Sequence, residues 1–303
     1  MITTVLALRS NTLYRHTAAC ACAALAVAAV AAAAPAHAAA RAAGRGHAAP
    51  ARAAAAPPRG REWAAFAYYP PKNQLVLFGG RRPGTIFSDT WTRTGTTWTL
   101  HHPTRSPSAR TGASMAFDPA THQLLLFGGS ATTGTGFSNQ TWTWNGSNWT
   151  QLHPATSPPG REDQQMAYDP ATQTVILFAG FHGTGYWDDT WSWNGTTWTQ
   201  LSPAHSPGIE VFARQAAYDT ASNQLLFFGG DGGKSGFLSK TWTWTGTDWT
   251  QLSPATSPPP RAYGAMTFDS ATGQVVLFSG SENALVSFPT TTWAWNGSTW
   301  SQI

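Results

Sequence analysis

Beyond residue 60 this 303-residue chain contains no cysteine, because its two, Cys20 and Cys22, both lie near the N-terminus. That absence excludes a disulfide, a thiolate metal ligand and a thiolate nucleophile from the main body, so stability there must come from packing alone. Charge is also sparse, at 11% Asp, Glu, Lys and Arg. The formal net charge of +4 is misleading, since residues 1–60 hold six Arg and no acid. Residues 61–303 therefore keep twelve of the eighteen basic residues against all fourteen acids, about −2, and a nucleic-acid partner is not expected. No segment after the N-terminal region approaches the run of roughly twenty apolar residues that a spanning helix needs.

The N-terminal residues are organised for export. Arg9, Arg15 and His16 form a positive region, an apolar stretch runs from about Ala18 to Ala34, and Ala36-His37-Ala38 supplies a small-x-small cleavage pattern. The expectation is a signal peptide over 1–38, cleaved after Ala38, and a secreted or cell-surface protein; a retained membrane anchor is the alternative. No adjacent Arg pair marks twin-arginine export. Residues 39–60, rich in Ala, Arg, Gly and Pro, read as a disordered linker.

From Arg61 the texture changes to five units of about fifty residues (61–109, 110–160, 161–209, 210–260 and 261–303), each with an apolar run closed by a glycine: Gly80, Gly129, Gly180, Gly230 and Gly280. Each unit reads as four short strands. In the second, Gly112 to Phe117 is a first strand ended by the turn Asp118-Pro119-Ala120-Thr121, and Leu124 to Phe127 is a strand buried on both faces. Thr141 to Trp144 alternates with period two, Asn145-Gly146 predicts a type I′ turn, and Trp149 to Leu152 returns as the fourth strand. A four-stranded sheet apolar on both faces must pack between two neighbours, which predicts an all-β fold: a β-propeller of five four-stranded antiparallel blades.

An apolar strand ending in paired glycines, an aromatic on the third strand and a Trp on the fourth resemble the kelch repeat, over residues 61–303. The central propeller domain of galactose oxidase is a distant likeness of the same kind. This chain departs from the pattern in four ways. The glycine pair is Ala179-Gly180 in unit 3 and Ser279-Gly280 in unit 5; the third-strand aromatic is Trp; Arg93 stands where the other units have Trp144, Trp193, Trp244 and Trp295; and five is a small number for kelch rings, with no strand exchanged between the ends. Fourteen of sixteen tryptophans fall in repeat positions and read as packing between blades; Trp63 and Trp187 stand outside them.

The resemblance implies a binding scaffold, and strand direction places both long connections of every unit on one rim. Candidate ligand-binding residues there are Arg81 and Arg82 in the first unit and His182 and Trp187 in the third. Arg61, Arg110, Arg161 and Arg261 recur eight residues before the end of the first strand, as carboxylate-binding forks at a channel mouth or as clamps on acids such as Asp89 and Asp189. In the fourth unit Val211 replaces the arginine. No catalytic residue is assigned. No cofactor or metal is expected, since the histidines are scattered and the Cys–Tyr radical cofactor of galactose oxidase needs a thiol. The expected function is non-catalytic recognition of an extracellular glycan or protein, of unidentified identity and with oligomeric state open. The alternative is a carbohydrate-active enzyme of kelch type, such as a sugar epimerase or mutarotase.

Overall fold

The computed structural model describes residues 57–132, 135–208, 215–232, 236–282 and 288–303. The expected signal peptide and most of the linker, with Val211, lie outside them. Five four-stranded antiparallel sheets stand in a ring as a five-bladed β-propeller. In each blade the strands pair in chain order, first to fourth. Blade 3 is representative: Gln165–Asp169, Thr174–Phe178, Thr190–Trp193 and Trp198–Leu201. The first strands of successive blades lie side by side around the axis from blade 1 to blade 5. Blade 2 adds a short strand, Thr135–Phe137, paired with an extended second strand, Gln123–Thr132. Among the described residues, no helix is long and apolar enough to cross a membrane.

Local chemistry sets the turns. After the first strand, Asp118 accepts the Ala120 N–H at 2.9 Å and the Thr121 hydroxyl at 3.0 Å, and Asp169, Asp219 and Asp269 repeat the arrangement. The third-to-fourth-strand turn differs from the type I′ expectation. Trp144 pairs with Trp149, leaving a four-residue loop in which Gly146 has φ +89° and Asn145 is not left-handed. The Asn145 carboxamide instead accepts the Ser147 and Asn148 N–H groups, at 3.0 and 2.9 Å. Side-chain capping here replaces the second positive φ that a two-residue turn demands.

The core lies between the blades. One face of each second strand packs backward and the other forward. Leu124 and Leu126 join Val76 and Phe78 of blade 1, whereas Leu125 and Phe127 join Val175 and Leu177 of blade 3. The fourth-strand Trp closes each contact by donating its indole N–H to a third-strand Thr of the preceding blade. Trp149 reaches Thr90, Trp198 reaches Thr141, Trp249 reaches Thr190 and Trp300 reaches Thr241, at 2.9–3.0 Å.

The first glycine of each pair has a steric reason. A Cβ on Gly79, Gly128 or Gly229 would stand 2.6, 2.6 or 2.3 Å from the carbonyl oxygen of Arg110, Arg161 or Arg261 of the next blade. Those carbonyls accept the N–H of Gly80, Gly129 and Gly230. Ser279 takes this place in blade 5, where no such bond runs from Gly280 to Arg61. Ala179 takes this place in blade 3, and the blade 4 position that matches the arginine, Val211, lies outside the described residues.

Among the described residues no buried cluster of this kind joins blade 5 to blade 1. Trp98 and Thr292 stand where the other blades make the indole–hydroxyl bond, and neither makes it. Leu75, Leu77 and Trp98 on blade 1, and Val276, Phe278 and Thr292 on blade 5, are half-buried, whereas their counterparts elsewhere are buried. Phe66 and Tyr68 are 39% and 46% exposed on the same face. Arg93 belongs here too: it occupies the third-strand Trp position on the one such face that no neighbouring blade seals.

Candidate functional site: the long-loop rim

The rim is built on the four arginines, and each is turned into its own blade. Arg61 donates to both carboxylate oxygens of Asp89 and to the Gly79 carbonyl, and lies 4.0 Å from the centre of the Phe87 ring. Arg161 repeats this with Asp189, the Ala179 carbonyl and the Trp187 ring at 5.5 Å. Arg261 pairs with Glu282 at 2.7 Å and with the hydroxyl of Thr291. The clamping alternative to a carboxylate-binding ring thus describes what these three do in this structure.

Arg110 is the exception. It is 2% exposed, and among the described residues it has no acidic partner. Its donors go to neutral acceptors: the Ser108 carbonyl and hydroxyl, the Gly128 carbonyl, the Ser138 hydroxyl and the Gln140 carboxamide. Burial pushes its pKa down to about 10, which leaves it charged at neutral pH. Asp89 shows the compensated case. Burial raises its carboxyl pKa, but the bonds from Arg61 and Trp91 and the Arg61 charge outweigh that and hold it below the ordinary value.

The placement of Trp187 revises one reading. Its N–H bonds to the Gly180 carbonyl as that of Phe87 bonds to Gly80, so Trp187 does not stand outside the repeat but fills the recurring position before the third strand. Ser138 and Leu238 fill it in blades 2 and 4. His182 packs against Trp187 with ring centres 4.4 Å apart and planes tilted by 38°. Arg81 bonds to Glu62 at 2.7 Å and lies over the Trp63 ring at 4.0 Å. Arg82 beside it is exposed.

Residues that the sequence reading did not assemble stand two positions after each arginine. Trp63, Gly112, Asp163 and Tyr263 have φ of +53°, +66°, +60° and +61°, a left-handed conformation that is uncommon outside glycine. They also link blades, the Gly112 N–H bonding to the Trp63 carbonyl and the Asp163 N–H to the Gly112 carbonyl, both across the inner strands. The signal was present as a fixed arginine followed at the same offset by a Trp, a Gly, an Asp and a Tyr. Among the described residues, no three His, Cys, Asp or Glu gather as a metal centre would require.

Fold and rim together define the chain as a five-bladed β-propeller with a sequence-variable rim. No protein-family model matches the chain, and no curated protein is significantly similar to it.

Proposed function

We propose that this chain is a kelch-type propeller, exported from the cell, that recognises an extracellular glycan or protein through its long-loop rim without catalysis. The observation that carries this reading is the rim position two residues after each arginine. One left-handed backbone conformation there displays Trp63, Asp163 and Tyr263 in different blades, on a frame shared by the four blades in which that position is described. Costly left-handed backbone at a loop position is a reason to look for function there, and an asymmetric set of side chains on a repeated frame suits an asymmetric ligand. Trp63 with Arg81 stacked on it, exposed Arg82 beside them, and His182 on Trp187 add flat surfaces and hydrogen-bond donors of the kind that sugars and peptides use.

A glycan-array screen of the secreted protein, with a pull-down from its own culture surface, tests the reading. A captured ligand should lose at least tenfold in affinity in Trp63→Ala and Arg82→Ala, while the melting temperature stays within a few degrees. Capture that survives both substitutions overturns rim recognition. Conversion of a sugar that stops when one rim acid is replaced would show an enzyme instead.

A further inference from the structure

In blades 1 and 3 the space around the arginine fork is filled by two groups, a carboxylate that takes Nη1 and Nη2 together and an aromatic ring against the guanidinium. Blade 2 has neither. Gln140 stands where Asp89 and Asp189 stand, keeping the bond from the following Trp: Trp142 donates to Gln140 at 3.1 Å as Trp91 and Trp191 donate to the Asp residues at 2.7 Å. Ser138 stands where Phe87 and Trp187 stand. The result is a cavity of about 170 Å³ beside Arg110, with Ser108, Ala131, Gly136, Ser138 and Gln140 in its lining. Ser108, Ala131 and Gly136 are exposed, so the cavity opens to solvent, and its volume is room for several waters.

From this arrangement we infer that blade 2 carries a binding site for a small organic carboxylate, held by Arg110 with Ser108 and Ser138. Each terminal nitrogen of the fork is shared between a fixed acceptor and a serine hydroxyl that can be displaced: Nη1 between Gly128 and Ser138, the latter at 3.3 Å, and Nη2 between Gln140 and Ser108, the latter at 3.1 Å. Both hydroxyls can rotate to donate to an incoming anion, which leaves one hydrogen on each terminal nitrogen free for its two oxygens. The charge supplies the drive. A guanidinium withdrawn from water without a counter-ion is costly, and an anion that reaches it from solvent removes that cost. The Gly128 carbonyl and Gln140 carboxamide, at 3.0 and 2.7 Å, keep the fork oriented while the cavity is empty. This site is separate from the packed aromatics of the rim.

The test uses the full secreted chain and sodium acetate as probe, against sodium chloride at equal ionic strength. In the wild type, acetate should raise the melting temperature by several degrees in a saturable way, with a matching change in tryptophan emission from Trp142. Gln140→Asp copies blades 1 and 3. It should melt higher than the wild type in chloride and lose the acetate-specific shift. Ser138→Phe, which copies Phe87, should fill the cavity and also abolish the shift. The inference is overturned if acetate acts no differently from chloride on the wild type up to 0.2 M, as an order of magnitude for weak sites, or if it shifts wild type and Gln140→Asp alike. Because no glycan or partner is present, either result leaves the rim reading to its own experiment.

Discussion

Where a carboxylate answers the charge of a buried arginine, it makes the fold sensitive to acid. Arg61 and Asp89 are the case to test, since their side chains are 4% and 27% exposed and the Asp89 pKa is depressed. A carboxyl whose folded pKa lies below its unfolded one contributes stability above the unfolded value, and the contribution is lost as pH falls through the folded value. The wild type should therefore lose stability as pH drops below about 4, the ordinary Asp value. Asp89→Asn should cost about 1–3 kcal/mol at pH 7, between the figures for exposed and for fully buried pairs, and should flatten that acid limb. Urea titrations of both proteins at pH 7 and pH 3 check this; equal losses on acidification in the two would refute it.

At the scale of strands, each sealed interface depends on one indole N–H reaching one hydroxyl. Thr141→Val should leave the buried indole of Trp198 without an acceptor and cost about 1–3 kcal/mol. Thr292→Val, at the same strand position in blade 5, should cost less than about 0.5 kcal/mol, because no indole reaches it. Denaturant midpoints of the two variants decide the matter, and equal costs would sink the distinction. The strands themselves were legible from residues such as Leu124 to Phe127 and Thr141 to Trp144, where a continuous apolar run and a period-two alternation name different strand environments. The Asp118 turn was legible because its mechanism is local. The Asn145 turn was misread in detail: an Asn-Gly pair signals a tight turn, but the choice between two and four residues is made by what Asn145 can accept. The arginine clamps were visible as a recurrence with two meanings. Only the partners, Asp89 twenty-eight residues away in one blade and Gln140 thirty away in another, separate them.

Across the whole molecule, several departures from the repeat collect on the two end blades. Arg93 in the Trp position, Ser279 in the Gly position, and the unjoined Trp98 and Thr292 all sit where blade 5 meets blade 1, as though the residues there had been released from a demand that the other interfaces impose. Nothing in the sequence alone marks these as one feature, since they lie in the first and last units and become neighbours only in the ring. The physical consequence concerns how the ring opens. Blade 3 is held on both sides by continuous buried clusters, with blade 2 through Leu125, Phe127, Val175 and Leu177 and with blade 4 through Ile176, Phe178, Leu225 and Phe227. Blades 1 and 5 each have one such face and one half-buried face. When stability is the sum of each unit and its nearest-neighbour contacts, a unit with one sealed interface opens at lower free energy than a unit with two. Native-state hydrogen exchange should therefore show the greatest protection in Thr174–Phe178 of blade 3 and a decline toward Gln74–Phe78 and Gln274–Phe278. Since the inner strand pairs of all five blades share one register, a difference in local hydrogen bonding cannot produce that gradient. Uniform protection across the five second strands would mean that the fifth interface is as tight as the others in solution and that the ring opens only as a whole.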